Sequence, residues 1–281
     1  MVHHVLDGKA IAARLKQHLQ QELATCTQTP RLAIVSFQTP ASVLYRKAQE
    51  TVARAIGIDV IVQEAPTSIS QPEVERLIQR WNEEPSVHGI FLHQPMPAHL
   101  DAQRLSAVID PRKDVEGIHP QNSARRFFAK SRIGSCTALA VMELIDATGV
   151  NLAGQEAVVV GHSEIVGRPV SMLLLDKLAT TTICHVGTDQ AGRLEAHVRG
   201  ADVLVVAIGR PHYIKGAWIK PGAIVIDVGI NVVDGRVVGD VEFDVAKDCA
   251  AWISPVPGGV GPVTVMMVMR NTLEAFKLQH S

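Results

Sequence analysis

Val158-Val159-Val160-Gly161-His162-Ser163-Glu164-Ile165-Val166-Gly167-Arg168-Pro169 decides how the chain is read. An apolar, strand-like segment runs through two glycines into the apolar-periodic run Val170–Leu178, the order of a strand, a tight turn and a helix. Glycine permits the turn and lets backbone approach an anion, and the helix that follows offers free N–H groups and its positive dipole end. The spacing of the two glycines, with Ser163 between them, departs from the usual G-x-G-x-x-G fingerprint. By itself the loop reads equally as a phosphate cradle or as an ordinary strand-to-helix turn.

Outward from this loop the same rhythm recurs. On the N-terminal side, Ile11, Ala12, Leu15 and Leu19 have amphipathic helix spacing up to about Ala24, and Arg31–Ser36 is a short apolar strand. Thr39-Pro40-Ala41-Ser42 reads as a helix start, with the helix ending at Gly57. Asp59–Val62 is a strand, Gln71–Trp81 a helix opened by Ser70 and Pro72, and Val87–Leu92 a strand. On the C-terminal side, strands are expected at Thr181–His185, Val203–Ala207 and Ala223–Val228, with helices at Val141–Ala147 and Val263–Lys277. Ile219-Lys220-Pro221-Gly222-Ala223 is a turn. Alternating strands and helices imply an α/β protein with parallel sheets covered on both faces, in two α/β units joined near Ser131–Glu143.

The chain of 281 residues is long enough for two such cores, and 47% hydrophobic with 20% charged residues is ordinary globular composition. A net charge of -1 provides no general attraction to nucleic acid or anionic membrane, so neither is expected as a partner. Cys26, Cys136, Cys184 and Cys249 lack C-x-x-C spacing, which disfavours a disulfide framework and a zinc site; no metal is expected. With no apolar run of membrane-spanning length and no signal-like N-terminus, a cytoplasmic location is expected.

Two further stretches are too polar or too constrained to be core. Lys113-Asp114-Val115-Glu116-Gly117-Ile118-His119-Pro120 places charges, a glycine and a proline in a loop, and Pro255-Val256-Pro257-Gly258-Gly259-Val260-Gly261-Pro262 is nearly all backbone. Each taken singly is equally consistent with turn chemistry. Together with Tyr45, Gly161-x-Ser163-x-x-Val166-Gly167-x-Pro169 and Ile219–Asn231, they resemble, in consistent order from Leu6 to Phe276, the methylenetetrahydrofolate dehydrogenase/cyclohydrolase family.

The resemblance implies two α/β domains flanking a cleft: a folate-binding catalytic domain, 1–135 joined by the C-terminal helix 264–281, and a Rossmann-like dinucleotide-binding domain, 136–263. It implies oxidation of 5,10-methylenetetrahydrofolate by NADP, with NAD as the alternative, in a homodimer made through the second domain. Carried over as catalytic are Tyr45, Gln49 and Glu116. As substrate-binding come Tyr45, His93, Glu116, Pro257, Gly258, Gly259 and Val260. As cofactor-binding come Gly161, His162, Ser163, Val166, Gly167, Pro169, Val186, Gly209, Val228, Gly229, Ile230 and Thr264.

The departures from the family pattern cluster in the folate half. Where the family has lysine four residues after the tyrosine, this chain has Gln49, and Lys47 points to another side of the helix. Glu116 replaces an aspartate, His93 a glutamine, and Pro-Cys-Thr-Pro-x-Gly survives only as Ser135-Cys136-Thr137-Ala138-Leu139-Ala140. Glutamine hydrogen-bonds but does not titrate, so dehydrogenase activity is expected with cyclohydrolase activity weak or lost. On the cofactor side, His162 and Val186 stand where the family often has arginine and serine near the 2′-phosphate, which weakens preference for NADP. The rival readings are a dehydrogenase acting on another reduced one-carbon carrier and a catalytically silent binding paralogue.

Overall fold

The computed structural model describes residues 4–38, 40–128 and 132–280, together with the side chains of these residues except 40–44. The expected helix start at Thr39 and the expected joint at Ser131 therefore lie outside the described residues. The chain forms two compact units, one of residues up to Ala13 plus Thr137–Thr264, the other of Arg14–Cys136 plus the residues from Val265 onward.

In chain order the first elements are β1 (His4–Val5), α1 (Gly8–Leu23), β2 (Arg31–Phe37), α2 (Pro40–Ile56), β3 (Asp59–Ala65), α3 (Gln71–Glu83), β4 (Gly89–Leu92), α4 (Ala102–Val108) and α5 (Pro120–Phe127). β2 lies between β3 and β4 in a parallel sheet, with Val35 opposite both Gln63 and Leu92. α3 covers the sheet because Val74, Leu77, Ile78 and Trp81 fall at i, i+3, i+4 and i+7, one buried stripe. They pack with Val35, Phe37, Ile90, Leu92 and Leu105, and each such side chain contributes about 1.5–3 kcal/mol by leaving water.

The remaining elements are α6 (Cys136–Asp146), β5 (Glu156–Val160), α7 (Gly167–Asp176), β6 (Thr180–Cys184), α8 (Val186–Gln190), α9 (Leu194–Gly200), β7 (Val203–Val206), β8 (Ile224–Asp227), β9 (Asn231–Val233), β10 (Arg236–Val238), α10 (Phe243–Ala246), β11 (Trp252–Ile253) and α11 (Val260–Gln279). Six strands form a parallel sheet in the order β1-β11-β8-β7-β5-β6. From β5 the chain goes out to β6 and returns to β7 on the other side, so the strand order reverses at β5, the point where open α/β sheets bind ligands beyond their carboxyl ends. Val158, Val160, Leu204, Val206 and Val225 form its core with Leu194 and Val198 of α9.

Two boundaries differ from the expectation. The sequence reading counts everything from residue 1 with the first half, yet His4–Val5 pairs with Trp252–Ile253 at the edge of the six-stranded sheet, which assigns the N-terminal residues to the other unit. The final helix begins at Val260 and is divided between the units after Thr264. The β9–β10 hairpin was not anticipated. Its turn is Asp234-Gly235, with φ of 49° and 73°, between two valine-rich strands, the short-range signal that best marks a hairpin.

Candidate active site

Within the unit of Arg14–Cys136, three segments converge. Tyr45 and Gln49 are successive turns of one face of α2, His93 follows the end of β4, and Glu116 sits in the loop that runs beside β4 through the Ile90–Asp114 bridge. The Tyr45 and His93 rings meet edge-on at 5.6 Å between centroids, with Phe91 6.4 Å from Tyr45. His93 Nε2 lies 2.8 Å from Gln49 Oε1, and both side chains are buried. Lys47 is exposed, as the helix geometry requires.

The acidic loop is held by its own charges. Lys113, buried, donates to the carbonyls of Trp81, Asn82 and Glu84 and so closes the C-terminal end of α3. Asp114 accepts from the N–H groups of Glu116 and His119 and from Asn122 Nδ2. These two residues, read in the sequence as part of a functional motif, thus shape the loop, while Glu116 Oε2 receives Leu92 N–H, at 3.3 Å.

The electrostatics separate the side chains further. Burial, with the neighbouring Asp114 charge adding to it, pushes the Glu116 carboxyl up to about 8. His93 is driven down to about 4 by burial and by the Arg46 charge. Burial above all, then Cys136 and Glu116, raises the Tyr45 phenol. At neutral pH the cluster is therefore a neutral tyrosine, a neutral imidazole, an amide and a largely protonated carboxyl. The Gln49 Nε2 is buried with no hydrogen-bond partner among the described residues, a deficit of about 1–3 kcal/mol that a ligand oxygen there would remove.

In the other unit the glycine loop packs as its sequence suggests. Gly161 has φ of 119°, and a Cβ there would lie 2.3 Å from Ala207 O; one at Gly167 would lie 2.1 Å from Gly161 O. These contacts bring the loop after β5 against both the end of β7 and the start of α7. Ser163 Oγ receives the N–H groups of Val166 and Gly167 at 3.2 and 3.4 Å, so the serine caps the helix start assigned to a phosphate. Pro169 lies in the first turn of α7.

The remaining expected residues fall as follows. The His162 and His185 rings approach to 5.3 Å where β5 and β6 end, with Val186 exposed beside them. Gly209, Val228, Gly229 and Ile230 follow β7 and β8. Pro257 follows a cis peptide bond, Gly258 has φ of 106°, and Gly8 approaches so closely that a Cβ would lie 1.8 Å from Gly259 O. Val260 starts α11, where Thr264 Oγ donates back to Val260 O. Tyr45, Gln49, His93 and Glu116 come together in one unit, whereas Pro257–Val260 and Thr264 belong to the unit of the glycine loop. The sequence reading assigns no role to Phe91, to Asp227 within the Ile219–Asn231 stretch, or to Asp240, because an acid's hydrogen-bond donors are unknown until the segments pack.

Comparison with known proteins agrees with this geometry. Residues 6–116 match the tetrahydrofolate dehydrogenase/cyclohydrolase catalytic domain, and residues 135–280 match the NAD(P)-binding domain of the same family. The bifunctional protein FolD 2 of Myxococcus xanthus is 44% identical over 277 residues, covering 96% of this chain and 95% of that one. Among solved structures, the Trypanosoma brucei N5,N10-methylenetetrahydrofolate dehydrogenase-cyclohydrolase, complexed with NADP and an inhibitor, is 38% identical with a TM-score of 0.93, covering 98% of both chains. A 5,10-methylenetetrahydrofolate dehydrogenase from the silkworm Bombyx mori is 36% identical with a TM-score of 0.94, covering 100% of this chain and 99% of that one. With both domains matched in order along nearly the whole length, this chain belongs to the tetrahydrofolate dehydrogenase/cyclohydrolase family.

Proposed function

We propose that this protein oxidises 5,10-methylenetetrahydrofolate to 5,10-methenyltetrahydrofolate with NAD(P)+, and that its hydrolysis of the methenyl product is weak or absent. The observation that carries the second half is the pair Gln49–His93. An amide occupies the helix position one turn after Tyr45, and its hydrogen-bond partner is an imidazole whose acidity places it in the neutral form at pH 7. Neither is equipped to deliver and recover a proton near neutrality.

A bound dinucleotide would supply the hydride acceptor, and because lone pairs on the folate nitrogens would supply the electronic push, what the residues of this chain must provide is positioning rather than proton transfer. Tyr45 offers an aromatic face to the folate ring system. Glu116, protonated, both donates and accepts toward the N–H and amino edge of a pterin, and the unpaired Gln49 amide supplies a further donor. Pro257–Val260 contribute backbone to the substrate, and the turn Gly161–Pro169 with Gly209, Val228–Ile230 and Thr264 holds the dinucleotide. His162 and Val186 offer no permanent cation to a 2′-phosphate, which leaves NAD+ competitive with NADP+. We assign the folate role to 14–136 with 265–281 and the dinucleotide role to 137–264 together with the residues up to Ala13, in a cytoplasmic homodimer formed through the latter.

One assay tests the reading. Reduction of the nicotinamide and the accumulation of methenyltetrahydrofolate are followed together in a single cuvette. Stoichiometric accumulation of methenyl product supports it; formyl product appearing well above the buffer rate sinks the proposed loss of hydrolysis, and no folate-dependent reduction sinks the whole.

A further inference from the structure

Two buried acids lie outside the residues to which any role has been given. Asp240, fully buried, follows β10, and its carboxylate receives three successive backbone donors from the segment after β7: Ile208 N–H at 2.8 Å and Gly209 N–H at 2.9 Å on Oδ2, and Arg210 N–H at 2.8 Å on Oδ1. Asn231 Nδ2, at the start of β9, adds a bond of 2.9 Å to Oδ1. A carboxylate in a row of backbone N–H groups is a strong, directional anchor, because each bond is charge-assisted.

Asp227, at the end of β8, holds Asp240 in turn. It accepts from Asp240 N–H and Gly229 N–H on Oδ1, at 3.0 and 2.9 Å, and from Val241 N–H on Oδ2 at 2.9 Å. The space is tailored to both acids: a Cβ on Gly229 would fall 2.3 Å from Asp240 Cγ, and one on Gly239 would fall 2.0 Å from Asp227 Oδ2. Through Ala207, the same segment carries the close approach of Gly161. The carboxyl ends of β5, β7 and β8 are thus joined in one network whose central atom pair is the Asp240 carboxylate.

We propose that Asp240 is a positioning residue for dinucleotide binding: it fixes the Ile208–Arg210 and Gly229 segments in the shape that receives the cofactor. This rests on the assignment of Gly209, Val228, Gly229 and Ile230 to the dinucleotide. Asp240 itself touches no ligand in this role. Because its acceptor capacity is filled by three backbone donors and the Asn231 amide, the segment presents its opposite face outward, and the constraint is lost if either oxygen becomes a donor.

The experiment uses the full chain carrying Asp240→Asn, whose amide sets an N–H against an N–H. The KM for NADP+ and for NAD+ is expected to rise about 10-fold while the KM for methylenetetrahydrofolate changes less than about 2-fold, and amide exchange of residues 208–210 is expected to accelerate. A folded variant with unchanged dinucleotide KM, or with both KM values raised equally, overturns the proposal. If that variant does not fold, Asn231→Ala decides the matter by removing one donor, with an expected rise of about 3-fold in dinucleotide KM against none. Amide exchange of the unsubstituted protein with and without NADP+ separates the two ideas. Failure of NADP+ to protect residues 206–212 and 228–231 counts against the assignment of those loops; protection there with an unaltered KM in the variant counts against Asp240 alone.

Discussion

Gln49 Oε1 and His93 Nε2 are 2.8 Å apart, between α2 and the end of β4. The bond gives each of two buried polar side chains a partner and leaves the Gln49 NH2 without one among the described residues. It also pairs two groups that exchange no proton at pH 7, and several expected outcomes come from that.

Replacing Gln49 by lysine restores a titratable group one turn from Tyr45. The rate of methenyltetrahydrofolate hydrolysis is expected to rise about 100-fold, the low end of what general acid–base help supplies, while stability falls by about 3 kcal/mol because an ammonium is buried beside a neutral imidazole. A stopped-flow hydrolysis assay with urea unfolding of the same sample measures both; an unchanged hydrolysis rate in a folded variant refutes the role given to this position.

His93 sets one acid limb of stability. Its pKa falls from 6.5 to about 4 on folding, so the unfolded chain binds more protons between those values and stability rises with pH across about 4 to 6.5. His88, also lowered to about 4, acts in the same direction. The variant His93→Gln is expected to have a shallower rise over that window in denaturant titrations, with the remainder owed to His88.

Glu116 works oppositely. Folding raises its carboxyl from 4.5 to about 8, so the native state holds the proton longer and this contribution to stability is lost as pH rises through that range. The KM for methylenetetrahydrofolate should climb as pH passes 8, and Glu116→Gln should flatten that dependence. Whatever hydrolysis persists is expected to titrate with the same group, the member of the cluster nearest neutrality; a KM profile identical in parent and variant rules this out.

His162→Arg introduces a permanent charge next to His185, at the ends of β5 and β6. The ratio of kcat/KM for NADP+ over NAD+ is expected to increase by about 10-fold or more, the effect of one charge-assisted hydrogen bond to a phosphate. Steady-state kinetics with both dinucleotides checks it.

Ile230, just before β9, and Val232 on the β9–β10 hairpin are each 71% exposed. With this exposed apolar pair taken as part of the proposed homodimer's interface, Val232→Arg is expected to yield monomers by light scattering with the secondary structure intact; a dimer of unchanged affinity excludes the hairpin from the interface.

Much of the fold was legible before the structure because the signal is local. The strands Arg31–Phe37 and Glu156–Val160 are short apolar runs, α3 displays its buried stripe at helical spacing, and Gly161 and Gly167 mark a close approach. The two-residue strands β1 and β11 are too short to show a pattern and exist only because parallel neighbours supply their hydrogen bonds. The hairpin turn Asp234-Gly235 carries a local signal of its own, two residues of positive φ between valine-rich strands.

The sequence by itself determined the longer strands and helices, the glycine turn and the absence of a lysine at position 49, since periodicity, backbone permissiveness and side-chain chemistry are properties of adjacent residues. Only the tertiary structure decided that Lys113 and Asp114 brace a loop while Glu116 stays protonated, that His93 is neutral, and that Asp240 ties three strand ends together. Those outcomes depend on burial and on donors distant in the chain, and both arise only when the segments pack.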